Sequence, residues 1–460
     1  MVEKLTLLNA RCHGRRELVD IVCEDGKIKS IEAAASLNQK EQLPQKRKRD
    51  FQEAQSTINQ IHPGETSVDC EHGLVLPSLC HAHVHLDKCF ILNETDLQQG
   101  TFEEALSSTA KLKDSMLDDM YERGQLLIER SIAAGVTSMR CMVEPGTDTL
   151  GQQYCFEVGM DLMDFYEKQC EIQLVLFAQD PFITDPQKIE QMEVFFGEAR
   201  LRIRGSTAQG ASAIGSAPYV EKTYEDGLAN MRFVTQHANK KKCGLDFHLD
   251  YALDEKCMIF DALDYLARHY TGGEGVSFGH CTGLTQFSQA DLERVLEKVK
   301  ACPFRVSFVG LPASDLFMMG RDTPLNPPRG TLMLPELSKL GFKCACSINN
   351  CYNGFQPHGS CDPLAMNLSS IYQSSTQDQL AQLYSFVSTD AKASIGAIDA
   401  DQSLEMSVGR IADLVVYTKQ SRVEEVVCMP DPNRITIRNG RVVSVVKTDT
   451  WLLSRDLDDH

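Results

Sequence analysis

Leu79-Cys80-His81-Ala82-His83-Val84-His85-Leu86-Asp87-Lys88 is the stretch on which the reading of this chain turns. Alternate side chains on a strand share a face, so His83 and His85 point the same way and can grip one ion between them. Two later β-type runs also close on histidine, Asp246-Phe247-His248-Leu249-Asp250 and Phe278-Gly279-His280, and a third closes on Ser347-Ile348-Asn349-Asn350. A hydrolytic metal ion needs several protein ligands and an open position; it acidifies water and polarises the carbon under attack. A lone histidine on a strand is usually structural. His-x-His at one strand end, with single histidines ending two later strands, is hard to obtain by chance and predicts a metal site.

Outward from that stretch, the chain from residue 74 alternates strand and helix. The expected strands are Leu74–His85, Thr137–Val143, Ile172–Ala178, Ala211–Ser216, Leu245–Asp250, Val276–Cys281, Arg305–Gly310 and Lys343–Ile348, separated by helical stretches such as 119–134, 186–200, 223–240, 257–270 and 289–300. Eight strands alternating with helices predict a (β/α)8 TIM barrel, an α/β fold whose chemistry sits at the C-terminal strand ends. The histidines and Asn349 fall at those ends. Both flanks read as β-structure. Leu5–Ala10 is a strand, Val19–Cys23 pairs with Lys27–Ile31 across Glu24-Asp25-Gly26, Gly409–Val416 is another strand, and Arg434–Val443 is a hairpin turning at Asn439-Gly440. The expected organisation is an N-terminal part of a small β-sandwich over 1–75, a barrel over 76–395, and the rest of the sandwich over 396–460. Residues 37–66 form a polar insertion whose Lys46-Arg47-Lys48-Arg49 run reads as a solvated loop rather than a targeting patch.

Composition excludes several classes. The 460 residues are 42% hydrophobic, enough for a large core, and the formal charge of −18 without a basic stripe argues against nucleic acid or anionic membranes as partners. Seventeen cysteines lie scattered through apolar strands with no CxxC pair, which predicts buried free thiols in a reducing compartment rather than a disulfide scaffold. The first residues, Met-Val-Glu-Lys-Leu-Thr, carry no signal-peptide apolar run, and no apolar stretch approaches the ~20 residues of a membrane span. A cytoplasmic location is expected, so the triplets Asn93-Glu94-Thr95 and Asn367-Leu368-Ser369 would not be glycosylated.

With these residues in view, the chain resembles the amidohydrolase superfamily, in particular its cytosine deaminase-like branch, which includes N-isopropylammelide hydrolase. The resemblance rests on His83-Val84-His85-Leu86-Asp87-Lys88, His248, His280 and the closing Gly409-Arg410-Ile411-Ala412-Asp413-Leu414-Val415-Val416, and spans nearly the whole chain apart from 37–66. Leu176-Phe177-Ala178-Gln179 looks like the branch's third-strand element, and Phe355-Gln356-Pro357-His358-Gly359 with Asp362-Pro363-Leu364 like its loop after strand eight. The resemblance implies His83, His85 and His248 as metal ligands, His280 as the group orienting water or substrate, and Gln179 as the reader of a heterocyclic ring edge. Lys88 and Asn350 would bind the substrate too. The fourth strand offers no lysine to bridge two metals, which implies one divalent ion, zinc or iron(II). The implied activity is hydrolysis of a C–N bond in a small nitrogen heterocycle by metal-activated water. That heterocycle is the expected partner; homo-oligomer formation is left open.

Two departures stand out. The family's strand-eight aspartate, ligand and base together, aligns with Asn349, whose amide can offer a neutral oxygen but cannot act as a base. Losing a general base typically costs about 10²–10⁴-fold in rate. The acidic residue that cytosine deaminase carries three places after the strand-five histidine is here Tyr251. Asp250 shares a strand face with His248 and is a candidate replacement acid/base; a carboxylate at that place can instead cap the next helix, as can Asp254. Asp87 is expected to hold a ligand histidine, His81 to sit deeper as a core residue, and His358 is a candidate for the pocket mouth. Asn349 also keeps a second reading alive, a barrel that retained the fold and binds a small molecule, or serves as a scaffold, without turning it over.

Overall fold

The computed structural model describes residues 4–34, 66–113, 115, 119–146, 153–198, 210–253, 256–273, 275–323, 325–399 and 402–448. The 37–66 insertion, except residue 66, and the expected role of Asp254 lie outside these. In chain order the first strands are β1 (Lys4–Cys12), β2 (Val19–Glu24), β3 (Lys27–Ala33), β4 (Ser67–Asp69) and β5 (Leu74–Pro77). The eight that follow are β6 (Leu79–His85), β7 (Val136–Val143), β8 (Glu171–Ala178), β9 (Ala211–Ser216), β10 (Gly244–Leu249), β11 (Val276–His280), β12 (Val306–Gly310) and β13 (Cys344–Cys346). Last come β14 (Leu414–Tyr417), β15 (Arg434–Arg438) and β16 (Arg441–Val446).

Strands β6 to β13 pair in sequence order, all parallel, with helices between them. The ring closes through Asn349: its carbonyl accepts the His85 N–H at 2.9 Å and its own N–H donates to the His83 carbonyl at 3.3 Å. This is the expected (β/α)8 barrel. Its strands are buried almost throughout because helices cover the outside and side chains fill the inside, which is why they read as continuous apolar runs. β9 and β10 approach so closely that a Cβ on Gly215 would overlap the Asp246 carbonyl.

The two chain ends share one further sheet system, and this is the expected small sandwich. β1 pairs β2 and β4, then bends at Asn9, whose φ is 54°, and its last residues pair β5. β5 pairs β14, which pairs β15, which pairs β16. Leu5, Leu7, Ile21, Ile28, Val75, Val416 and Ile437 meet in one core between these strands. Both hairpins turn as expected, with Asp25, Gly26, Asn439 and Gly440 all at positive φ.

Two expectations about strands need correction. Leu74–His85 is not one strand: Leu74–Pro77 belongs to the terminal sheet and Leu79–His85 to the barrel, parted at Ser78. A run buried on both sides of the junction carries no periodicity to mark the change. Gly409–Val416 likewise holds a strand only from Leu414; Gly409 and Arg410 instead exchange backbone hydrogen bonds with Ile28.

Candidate active site

The barrel's pleat turns His83 and His85 inward from β6, and β10 brings His248 opposite them. His83 Nε2 and His248 Nε2 lie 2.7 Å apart, and one ring nitrogen from each of the three histidines falls within 4.8 Å of the others. All three rings are buried, and burial lowers each below the usual histidine range, most strongly His85 and His248. Neutral imidazoles are the form that binds a cation. Behind His83, Asp246 Oδ1 stands 3.4 Å from Nδ1, and Asp246 is itself held by Arg140 at 3.3 Å. The residues therefore fit a metal ion on chemical grounds: three converging neutral donors, one of them backed by a carboxylate.

Asn349 joins this group. Its φ of 63° is one that asparagine tolerates, its Nδ2 donates to Ser314 Oγ at 2.7 Å, and its buried Oδ1 has no protein partner. His280 sets its ring edge-on to His248 with centroids 4.7 Å apart. Its Nδ1 lies 2.6 Å from Asp315 Oδ1, and the other Asp315 oxygen accepts from Thr331 Oγ1 at 3.0 Å.

These groups open on a small cavity. Gln179, Lys88 and Asn350 line it, and Phe102, Tyr219, Tyr251 and Phe355 form its apolar walls. Tyr219 and Tyr251 stack at 5.2 Å, and Phe102 packs on Tyr251 at 5.0 Å. Lys88 Nζ contacts Glu144 Oε1 at 2.7 Å and Gln179 Oε1 at 3.2 Å, beneath the Phe355 ring. Glu144 also meets Lys113 at 3.1 Å. His85, Asp87 and Glu144 form a second cluster with ligand-like spacing, but the two lysines already neutralise Glu144. Among the described residues, no aspartate or glutamate lines the cavity.

Several expectations change here. Asp250 does not face the cavity. Its φ is 49°, and its carboxylate accepts the N–H groups of Met258 at 2.6 Å and Ile259 at 3.1 Å, capping the helix Ile259–His269. The strand ends at Leu249, so the shared face stops one residue too soon. Burial pushes Asp250 up to about 7, against those two hydrogen bonds. Asp87 does not orient a ligand histidine; its Oδ2 accepts the Glu144 N–H at 2.7 Å, and Asp246 takes the place behind His83. His81 is the core residue expected, with Nε2 3.1 Å from both Ser131 Oγ and the Cys361 carbonyl. His358 stays outside the cavity against Phe317, their ring centroids 5.7 Å apart.

Residues that sequence reasoning missed include Asp246, Glu144, Tyr219, Ser314 and Asp315. Asp246 was legible, two places before His248 and so on its face. Glu144 follows directly on β7 and could have been suspected as a residue at a strand end. Ser314 and Asp315 sit on the helix Pro312–Met318, where no period marks them.

No family model matches this chain. It is similar to a pterin deaminase of Rhizobium rhizogenes, 23% identical over 409 residues covering 86% of this chain and 88% of that protein. Its fold is similar to 5-methylcytosine deaminase from Klebsiella pneumoniae in complex with phosphonocytosine, with a TM-score of 0.79 and 20% identity over 98% of this chain and 100% of that one. N-isopropylammelide isopropylaminohydrolase from Burkholderia multivorans is also similar, with a TM-score of 0.71 and 18% identity over 96% of this chain and 98% of that one. Barrel, terminal sheet and these relatives together fit the amidohydrolase superfamily.

Proposed function

We propose that this chain is a metal-dependent deaminase or related hydrolase that replaces an amino group on a small planar nitrogen heterocycle with oxygen, water entering and ammonia or an amine leaving. The observation that carries this reading is the convergence of His83, His85 and His248, buried and neutral, at the floor of an aromatic-walled cavity. The relative and the structural neighbours act on pterin, 5-methylcytosine and N-isopropylammelide by their names, all flat nitrogen rings. Those three histidines would hold one divalent ion, zinc or iron(II), with Asn349 Oδ1 as a neutral fourth donor. When bound, such an ion acidifies water and polarises the carbon it faces. His280 carries the proton between water and leaving group, because it is the cavity's histidine outside the ligand set and no carboxylate among the described residues lines the cavity to do so. Gln179, Lys88 and Asn350 hold the ring edge, and Phe102, Tyr219, Tyr251 and Phe355 exclude water around it. A cytoplasmic setting suits the seventeen cysteines, all of which are free thiols.

One observation favours a second reading. Among the described residues no carboxylate lines the cavity, so the usual base is missing there, which suits a protein that binds the heterocycle without turning it over. Elemental analysis of purified protein, with an ammonia-release screen over pterins, pyrimidines, purines and triazines, separates the two. Release from at least one class at full metal occupancy supports the enzyme. No release from any class, with Asn349→Asp gaining activity, establishes the silent barrel.

A further inference from the structure

Ser314 and Asp315 are consecutive and almost wholly buried, and each touches one of the two groups that stand in for the family's strand-eight carboxylate. Their hydrogen bonds leave little freedom. Ser314 Oγ donates to the Leu311 carbonyl at 3.2 Å, so toward Asn349 it can only accept, and what it accepts must be the Nδ2–H at 2.7 Å. The amide is thereby fixed with its nitrogen on Ser314 and its buried, unpartnered Oδ1 left for the site. Asp315, as a carboxylate, is acceptor only, so the 2.6 Å contact requires a proton on His280 Nδ1, which in the neutral ring leaves the Nε2 lone pair bare. Thr331 Oγ1 holds the second Asp315 oxygen and stops the carboxylate from turning away.

We infer that the Ser314–Asp315 pair is a positioning device: it presents two bare acceptors, Asn349 Oδ1 and His280 Nε2, to the cavity in place of one aspartate. The inference deepens the proposed reaction and rests on that reading for what the acceptors do: the amide oxygen toward a metal ion, the imidazole nitrogen toward a proton. A carboxylate supplies both kinds of acceptor by itself and needs no such support. An asparagine can be rotated either way and an imidazole has two tautomers, so both need an outside group to settle them.

The test reads each acceptor without relying on turnover. Zinc affinity, measured by competition with a chromophoric chelator, should fall about 10–100-fold in Ser314→Ala and stay near wild type in Ser314→Thr, which keeps the hydroxyl. In the wild type labelled with ¹⁵N-histidine, the His280 ring should show the Nδ1–H tautomer. Asp315→Asn should lose that signature, because its amide donates toward Nδ1, and any turnover should drop about 10²–10⁴-fold with KM little changed. Wild-type zinc affinity in Ser314→Ala, or an Nε2–H tautomer in the wild type, overturns the inference. The second measurement needs no variant, so a failure to fold cannot shield the idea. A wild type with the Nδ1–H tautomer and the expected zinc loss in Ser314→Ala, but no activity on any heterocycle, supports the positioning device while refuting the proposed reaction.

Discussion

Asn349 concentrates the question at the scale of single residues. Its side-chain oxygen is neutral, buried and unpartnered, so the three histidines would hold an ion without any negative ligand. Asn349→Asp places a charged oxygen there. It should tighten zinc binding about 10-fold or more in chelator competition, and should lower the melting temperature of the metal-free protein, since an unpaired buried carboxylate is costly. Unchanged affinity would mean that Asn349 does not face the ion. His81 offers a cleaner titration. Burial depresses it to about 4 from 6.5, against its contact with the Cys361 carbonyl. The unfolded chain therefore binds the extra proton first, and the stability His81 contributes is complete above pH 6.5 and lost as pH falls toward 4. Relative to His81→Gln, the wild type should lose about 3 kcal/mol over that interval in urea unfolding. A wild-type stability relative to His81→Gln that stays flat, or falls, as pH rises from 4 to 6.5 would contradict the assignment.

Elements decide what a side chain at a strand end can do. Asp250 lies one residue past β10, and that residue turns it from the cavity to the helix Ile259–His269. Asp250→Ala should therefore act as the loss of a helix cap, costing about 1–2 kcal/mol in denaturant unfolding, with turnover within a few-fold of wild type. A loss of about 10²-fold in kcat at unchanged stability would restore Asp250 to the chemistry. The helix Phe102–Leu112 works the other way. It was not anticipated, yet it carries Phe102 into the cavity wall, while Lys113 beyond its end ties to Glu144 at 3.1 Å and Asp180 at 2.6 Å. Its place over the mouth depends on where β7 and β8 end, and no local pattern contains that.

For the molecule as a whole, the two sheet systems are joined through buried contacts. Tyr384 donates to the Pro77 carbonyl at 2.8 Å and meets Tyr417 at 3.0 Å, and Arg434 reaches the Ala134 carbonyl at 2.6 Å. Barrel and terminal sheet should unfold together. An ion bound at β6 and β10 stabilises that whole unit by mass action, about 2.7 kcal/mol at a hundredfold excess over Kd. Chelation should lower the melting temperature in a single transition, and His83→Ala should abolish the difference between metal-loaded and stripped protein. Two separate transitions, or a chelator effect that persists in His83→Ala, would count against this arrangement.

The barrel, its strand ends and the His83–His85–His248 cluster were legible in the sequence, because strand period and strand–helix alternation are local and a His-x-His pair declares its own geometry. The seven barrel strands after the first and the five named helices lie within two residues of their expected bounds. Where β5 hands over to β6, which way Asp250 turns, and which carboxylate stands behind His83 were not legible. Each depends on a partner that the local run does not contain: Asp413 accepting the Ser78 N–H, the helix start at Met258, and Asp246 facing His83 across the barrel. His280 shows the division most clearly. Its place at the end of β11 follows from the local run of residues, but the proton on its Nδ1 follows from Asp315, 35 positions later, which only the folded barrel sets 2.6 Å away.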